Sequence, residues 1–277
     1  MNYNIIDVSS WQTTADFLRA KNAGISKVIL RAGYGCYTVD KKFCDYIKSA
    51  LAAGMEVGVY WFIYARNTSE MRQNCNKLCE VIKPYHDKIK LGVWFDFEKD
   101  SERYAPKLST NDKIAFLKIF MERMKTEGYK GGLYSNLDCF RRIWSKYKDI
   151  RKIPLWSAYY TSGSTLPAEL LPCVAWQKTS GARIDGFNTN VDAGFWYGFS
   201  DEKPEDPENE YYKVTTKNDN LLCREGPGIS YKAISSFKKG TIVEALEYSG
   251  NWIRVKGTDY LGKNVEGWSS KTFLKKI

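Results

Sequence analysis

Through the first 200 residues, short apolar runs alternate with amphipathic stretches, the hydropathy pattern of alternating strands and helices. Runs at residues 4–8, 27–33, 56–63, 91–98, 131–135, 154–158, 174–178 and 191–196 predict eight strands. Helical spacing of the apolar positions fills the earlier gaps, at about 16–23, 41–53, 70–83, 111–126 and 138–146. Ser109-Thr110-Asn111-Asp112 supplies caps for the fourth helix. Segments 161–167 and 181–186 read as loops, so the outer helices disappear toward the later strands. The expected fold class is α/β, an irregular β/α barrel, with an open doubly wound sheet as the alternative.

The pattern breaks at residues 201–210, which contain two prolines and no apolar side chain and read as an extended linker. Beyond it the helical period is gone. Short β-type runs at 211–216, 242–248, 252–255 and 265–269, divided by Gly and Pro turns, predict a small all-β barrel. The expected organisation is therefore a large domain at 1–200, a linker at 201–210 and a small domain at 211–277.

Charge sharpens this division. Residues 1–200 hold 29 basic and 20 acidic side chains (net +9), the linker 1 and 6 (net −5), and residues 211–277 hold 12 and 6 (net +6). Two basic domains flank an acidic tether, and the chain's formal charge of +10 favours a polyanionic partner of some kind. A nucleic-acid partner is not expected, because the chain carries no basic helix and no interleaved aromatic and basic recognition motif. Membrane insertion is not expected either, since about 18 consecutive apolar residues occur nowhere. The opening residues lack a basic leader and an apolar run, which predicts a product made in the cytoplasm. The seven cysteines form an odd set without a regular framework and are expected as free thiols; Cys75 and Cys79 fall on one helix face. A single histidine, His86, cannot furnish a zinc site of two or three His ligands, and no nucleophile motif stands beside it. Neither a metal nor a cofactor is expected.

What remains is carboxylate chemistry. In Leu91-Gly-Val-Trp-Phe-Asp-Phe-Glu98 an apolar strand ends in two acids one residue apart. Strand side chains alternate, so Asp96 and Glu98 point the same way, and at the end of a barrel strand that direction is the catalytic rim. Two acids in a partly dry site cannot both ionise freely, which leaves one able to donate a proton near neutral pH. Asp7 ends the first strand and Asp192 lies in the last, so each brings another acid to the place where those strands would meet. Tyr60, Phe62, Tyr134, Trp156 and Trp176 with Gln177 occupy similar strand positions and suit the stacking and orientation of sugar rings. Phe62 and Trp94 also read well as core.

Taken in order, Asp7-Val-Ser-Ser-Trp-Gln12, Arg31-Ala-Gly33, Gly58-Val-Tyr-Trp-Phe62, Asp96-Phe-Glu98, Leu133-Tyr-Ser135, Leu155-Trp-Ser-Ala158, Trp176-Gln177 and Val191-Asp192 resemble glycoside hydrolase family 25, the Chalaropsis-type lysozymes of phage endolysins and autolysins. The resemblance spans nearly all of residues 3–198. It implies a β/α barrel that degenerates toward its C-terminal strands and that cleaves the β-1,4 bond from N-acetylmuramic acid to N-acetylglucosamine. Glu98 would be the general acid and Asp96 its partner, either as nucleophile or by orienting the substrate's acetamido group. Asp7 and Asp192 would be supporting acids, and Arg31 joins the substrate-binding set. Trp61 stands where the family often has His, a change expected to alter rim contacts and leave the acid pair intact. The C-terminal region resembles bacterial SH3-like wall-binding domains through Leu221-Leu-Cys-Arg-Glu-Gly-Pro-Gly228, Trp252-Ile-Arg-Val255 and Gly267-Trp-Ser-Ser270, with Cys223 in place of the usual core Val. The partners implied are peptidoglycan and the anionic polymers of the wall, reached after holin-dependent release or lysis. The alternative is a wall or polysaccharide binder that has lost its chemistry.

Overall fold

The strands of the large unit are rich in Val, Ile and aromatic residues and are buried on both faces, the composition of a sheet covered by helices outside and packed side chains within. The computed structural model describes residues 3–199 and 211–276, so the stretch expected to be the linker, 201–210, lies outside the described residues. Two compact units divide near residue 201.

In the first unit the elements run β1 (Ile5–Val8), α1 (Phe17–Asn22), β2 (Lys27–Tyr34), β3 (Thr38–Val39), α2 (Phe43–Ala52), β4 (Glu56–Phe62), α3 (Thr68–Ile82), β5 (Ile89–Asp96), α4 (Lys99–Tyr104), α5 (Thr110–Thr126), β6 (Gly131–Asn136), α6 (Leu137–Arg142), β7 (Leu155–Ala158), β8 (Ala175–Ala182) and β9 (Val191–Trp196). The sheet order is β1-β9-β8-β7-β6-β5-β4-β2, with a β1–β2 pairing that closes an eight-stranded barrel and β3 added to β2 as a short flap. The eight expected strands are the eight of the barrel, and the open-sheet alternative is excluded by closure. Seven of them run parallel. β9 is antiparallel to both β8 and β1, which the apolar pattern did not reveal. Two further elements were not anticipated, the flap β3 and the short helix α4. Between β7 and β8 only a single 3-10 turn, Ala168–Leu170, replaces a helix, in keeping with the loops expected there.

Helix starts follow side-chain capping. Asp16, Asn67 and Asn136 each accept from a backbone N–H in the first turn, and Ser109 with Asp112 forms the reciprocal capping box of α5. Cys75 and Cys79 both lie buried along α3. Outward-facing strand residues such as Val57, Val59, Trp61, Phe95 and Phe97 pack under the helices. A second cluster, including Ile5, Ile29, Leu91, Trp94, Trp156 and Ala175, fills the barrel interior. Along β5 the backbone turns irregular at Gly92, whose φ is +79°, so both Leu91 and Trp94 join the interior cluster while Val93 faces the helices. From Trp94 onward alternation is regular, and that phase carries Asp96 and Glu98 to the barrel mouth.

The second unit is an all-antiparallel sheet of seven strands, continuing the numbering as β10 (Tyr211–Val214), β11 (Leu221–Arg224), β12 (Ala233–Phe237), β13 (Ile242–Ser249), β14 (Trp252–Thr258), β15 (Asn264–Ser270) and β16 (Leu274–Lys276), in the order β12-β11-β15-β14-β13-β10-β16. Its core comprises Tyr212, Val214, Leu221, Cys223, Phe237, Val243, Ile253, Val255 and Leu274, with the Cys223 thiol fully enclosed as a small apolar side chain.

Closure of the barrel makes one steric demand. A Cβ on Gly194 of β9 would sit 1.7 Å from the Trp176 carbonyl oxygen of β8. Gly194→Ala is therefore expected to lower the unfolding free energy by about 3 kcal/mol or more, measured by urea denaturation, because backbone and not a flexible side chain must give way.

Candidate active site

Closure brings the ends of strands from opposite sides of the sequence together. Asp7 of β1 and Asp192 of β9 are direct partners in the antiparallel register. Asp96 of β5 lies between Phe62 of β4 and Tyr134 of β6 in the parallel register, and Glu98 follows two residues on. A cleft of about 320 Å³ opens at this end, lined by Asp7, Ser9, Trp11, Gln12, Arg31, Tyr60, Phe62, Asp96, Glu98, Tyr134, Trp156, Gln177 and Asp192. All four candidate acids meet there, together with Arg31, Tyr60, Phe62, Tyr134, Trp156 and Gln177. Trp94 belongs to the packed floor below, stacked on Phe199 and edge-on to Trp156.

Trp176 is not brought to the cleft. It precedes Gln177 on β8, so its ring takes the opposite face, where it is buried, donates its indole N–H to the Tyr159 carbonyl and lies under the Lys178 ammonium. Trp61 also faces outward and is fully buried, with its indole N–H on the Gly35 carbonyl. The substitution expected to alter the rim alters a strand-to-loop tie behind it instead.

Two hydrogen-bond systems organise the cleft. Gln177 Nε2 donates to Asp7 Oδ2 (2.9 Å) and Asp192 Oδ2 (3.0 Å), while its Oε1 accepts from the Tyr134 and Tyr160 hydroxyls, each at 2.9 Å. Arg31 Nε is paired with the buried Asp40 carboxylate at 2.7 Å, and its guanidinium also donates to Ser10 Oγ at 3.0 Å. Asp40 in turn accepts from the backbone of Ser10 and Lys42. Arg31 thus holds the loop after β1, and its charge is already matched. Gln12 fastens the same loop to the segment entering the neighbouring β9 through the Asn190 carbonyl.

The acids sit where their charged forms are disfavoured. Burial, then the neighbouring Asp192 charge, holds the Asp7 carboxyl well above its usual range, against the opposing hydrogen bond from Gln177. Burial, then the Glu98 charge, does the same for Asp96. Glu98 is raised chiefly by burial, opposed by the Asp96 and Tyr134 side chains within hydrogen-bonding reach. Burial and then Glu98 push Asp192 up to about 6. Asp96 and Glu98 lie within hydrogen-bonding reach of each other, and burial holds both above the usual carboxylate range. The phenols of Tyr60 and Tyr134 are driven upward by burial and remain neutral donors. Chemically, the cleft offers a retained proton beside a carboxylate, on an aromatic floor.

Ser9, Trp11, Gln12 and Tyr160 were not singled out in the sequence as site residues. Trp11 is 78% exposed at the mouth, and Tyr160 reaches in from the loop after β7. An aromatic residue four positions beyond a strand-end acid was the available signal for Trp11. The tandem tyrosines following β7 were the signal for Tyr160.

With the geometry in hand, the relationships to known proteins are informative. The sequence profile of Glycosyl hydrolases family 25 matches residues 6–187, and that of the Bacterial SH3 domain matches residues 219–275. A probable GH family 25 lysozyme 2 of Dictyostelium discoideum is 27% identical over 196 residues, covering 69% of this chain and 89% of that protein. The autolytic lysozyme of Clostridium acetobutylicum is 23% identical over 189 residues, 68% of this chain and 53% of that one. Among solved structures, the modular autolysin LytC of Streptococcus pneumoniae, determined in complex with a synthetic peptidoglycan ligand, superposes with a TM-score of 0.61 at 26% identity, over 70% of this chain and 46% of that chain. The present chain spans about half the length of the latter two proteins.

The raised acids have a thermodynamic consequence. Each binds its proton more tightly in the folded state than in the unfolded one, so this contribution to stability is fully present below the unfolded carboxylate pKa of about 4 and is lost as pH rises through the folded value. For Asp192 the window runs from the ordinary 3.8 to about 6. Asp192→Asn is expected to raise the unfolding free energy at pH 7.5 by on the order of 2 kcal/mol, discounted for partial exposure, and to leave it unchanged near pH ~3.5. Urea titrations at the two pH values measure the difference.

Proposed function

The chain belongs to glycosyl hydrolase family 25, and we propose that it is a peptidoglycan-cleaving lysozyme that hydrolyses the β-1,4 bond between N-acetylmuramic acid and N-acetylglucosamine. The observation that carries this reading is the convergence of Asp7, Asp96, Glu98 and Asp192 on one cleft with a sugar-sized aromatic floor. Glu98 is the proton donor to the leaving glycosidic oxygen and, once deprotonated, the base that activates water. Burial supplies the retained proton this role requires.

Asp96 is the partner. Two-carboxylate glycosidases separate their acids by about 5–5.5 Å when one is the nucleophile and by about 6.5–9.5 Å when water attacks directly. Carboxyls in hydrogen-bonding contact, as Asp96 and Glu98 are, suit neither spacing. That favours the substrate-assisted route, in which the 2-acetamido oxygen attacks the anomeric carbon and Asp96 steadies the developing positive charge on the acetamido nitrogen. Asp96 Oδ1 is buried without a hydrogen-bond partner among the described residues and is the spare acceptor for that N–H. A neighbouring hollow of about 560 Å³, sharing Trp11, Arg31 and Phe62 with the cleft, lengthens the surface available to a polymeric glycan.

The second unit, a Bacterial SH3 domain by sequence, is proposed to hold the enzyme on the wall. The net charge of +6 in residues 211–277 suits anionic wall polymers. A lysozyme joined to a wall anchor fits release of phage or lysis of the cell, and an endolysin or autolysin is the setting we favour. The intact acid set weighs against a purely binding role.

Glu98→Gln is expected to reduce release of reducing ends from purified peptidoglycan by at least about a hundredfold while co-sedimentation with intact walls is unchanged. Retained cleavage would overturn the assignment.

A further inference from the structure

Gln177 was expected to touch the substrate, yet its amide has nothing left to offer one. Both Nε2 protons go to Asp7 and Asp192, and both Oε1 lone pairs receive the hydroxyls of Tyr134 and Tyr160. A primary amide has two donors and two acceptor sites, so Gln177 is saturated and 3% exposed. The two acids on one side and the two phenols on the other hold the amide with its NH2 toward the acids.

Tyr134 has a single hydroxyl proton, bonded to the Gln177 carbonyl, with the Glu98 carboxyl and the Tyr160 hydroxyl oxygen also within reach. A proton given to Gln177 is withheld from Glu98. We infer that Gln177 is a positioning residue that keeps Glu98 in its proton-donating form by holding the Tyr134 hydroxyl away from it. With its hydroxyl proton directed to Gln177, Tyr134 is a weaker donor to the Glu98 anion than its nearness would allow, and Glu98 is the readier to keep its own proton. This inference rests on Glu98 as the general acid and adds the element that regulates it.

The other charged and titratable groups facing Glu98 act in known directions. Asp96 on its own strand, Asp100 from α4, Asp7 from β1, Asp192 from β9 and the Tyr160 phenol are neutral or negative. Arg31 from β2 is matched by Asp40, and Tyr60 from β4 is a neutral phenol. None of them competes with Gln177 for the Tyr134 proton except Tyr160, whose own hydroxyl is bonded to Gln177.

The test is the pH profile of kcat/KM on purified peptidoglycan, using the full chain. The alkaline limb reports loss of the Glu98 proton. Gln177→Met removes the acceptor, frees the Tyr134 hydroxyl for the Glu98 carboxylate, and is expected to move that limb down by about one pH unit. Gln177→Glu keeps an acceptor for Tyr134 and is expected to leave the limb in place or move it up. A merely structural role would lower kcat in both without opposing shifts. Tyr134→Phe, which preserves the ring, serves if Gln177→Met does not fold by circular dichroism. Because the wild-type hydroxyl is withheld from Glu98, its removal is expected not to raise the limb. A rise of about one unit in Tyr134→Phe, or shifts of the same sign in Gln177→Met and Gln177→Glu, would overturn the inference. Activity retained by Glu98→Gln would instead refute the underlying assignment, so the two failures are distinguishable.

Discussion

Everything at the catalytic end follows from one constraint, the enclosure of four carboxyl groups at the mouth of a closed barrel. A buried anion without partners is too costly to persist, so each group must hold a proton, accept hydrogen bonds, or meet a cation. Arg31, the guanidinium lining the cleft among the described residues, is already matched by Asp40. Protons and hydrogen bonds carry the rest. Asp96 and Glu98 are both raised by burial beside each other, and Asp7 and Asp192 are joined across Gln177. The acidity needed for glycosidic cleavage is thus a result of packing.

Enclosure depends in turn on β9. An eighth parallel strand would require a crossover from β8, and only eight residues separate Ala182 from Val191, with no helix among them. The strand returns antiparallel, is admitted beside β8 by Gly194, and pairs Asp192 with Asp7. Loss of the outer helices on this side leaves the later strands connected by loops, and Tyr160 reaches Gln177 from one of them. The degenerate half of the barrel is therefore what brings the second pair of acids and their bridging amide together.

The lower half of the interior answers a different need. Trp94, Trp156, Trp196 and Phe199 pack edge to face or stacked and fill the barrel below the acids. They exclude water from beneath Asp96 and present Trp156 and Tyr60 as the upper surface. One aromatic plug both stabilises the fold and supplies the low-dielectric floor that raises the acids above it.

Much of this was legible in the chain. Eight apolar runs, the loss of helical spacing after residue 158, the acids ending two of the strands and Asp192 within the last defined a barrel with a carboxylate rim, because hydrophobic period and strand ends are local properties. What the sequence could not decide was phase. A strand buried on both faces has no polar alternation to say which side is inward, so in Trp176-Gln177 the aromatic and the amide were equal candidates, and Trp61 was placed at a rim it does not touch. Gly92 shifts the phase again within β5. Nor could the sequence foresee that Gln177, 170 residues from Asp7, would exhaust its amide on four neighbours. By itself the sequence determined which residues carry the chemistry; only barrel closure decided which face each side chain takes and how the protons are shared, since both depend on contacts between strands far apart in the chain.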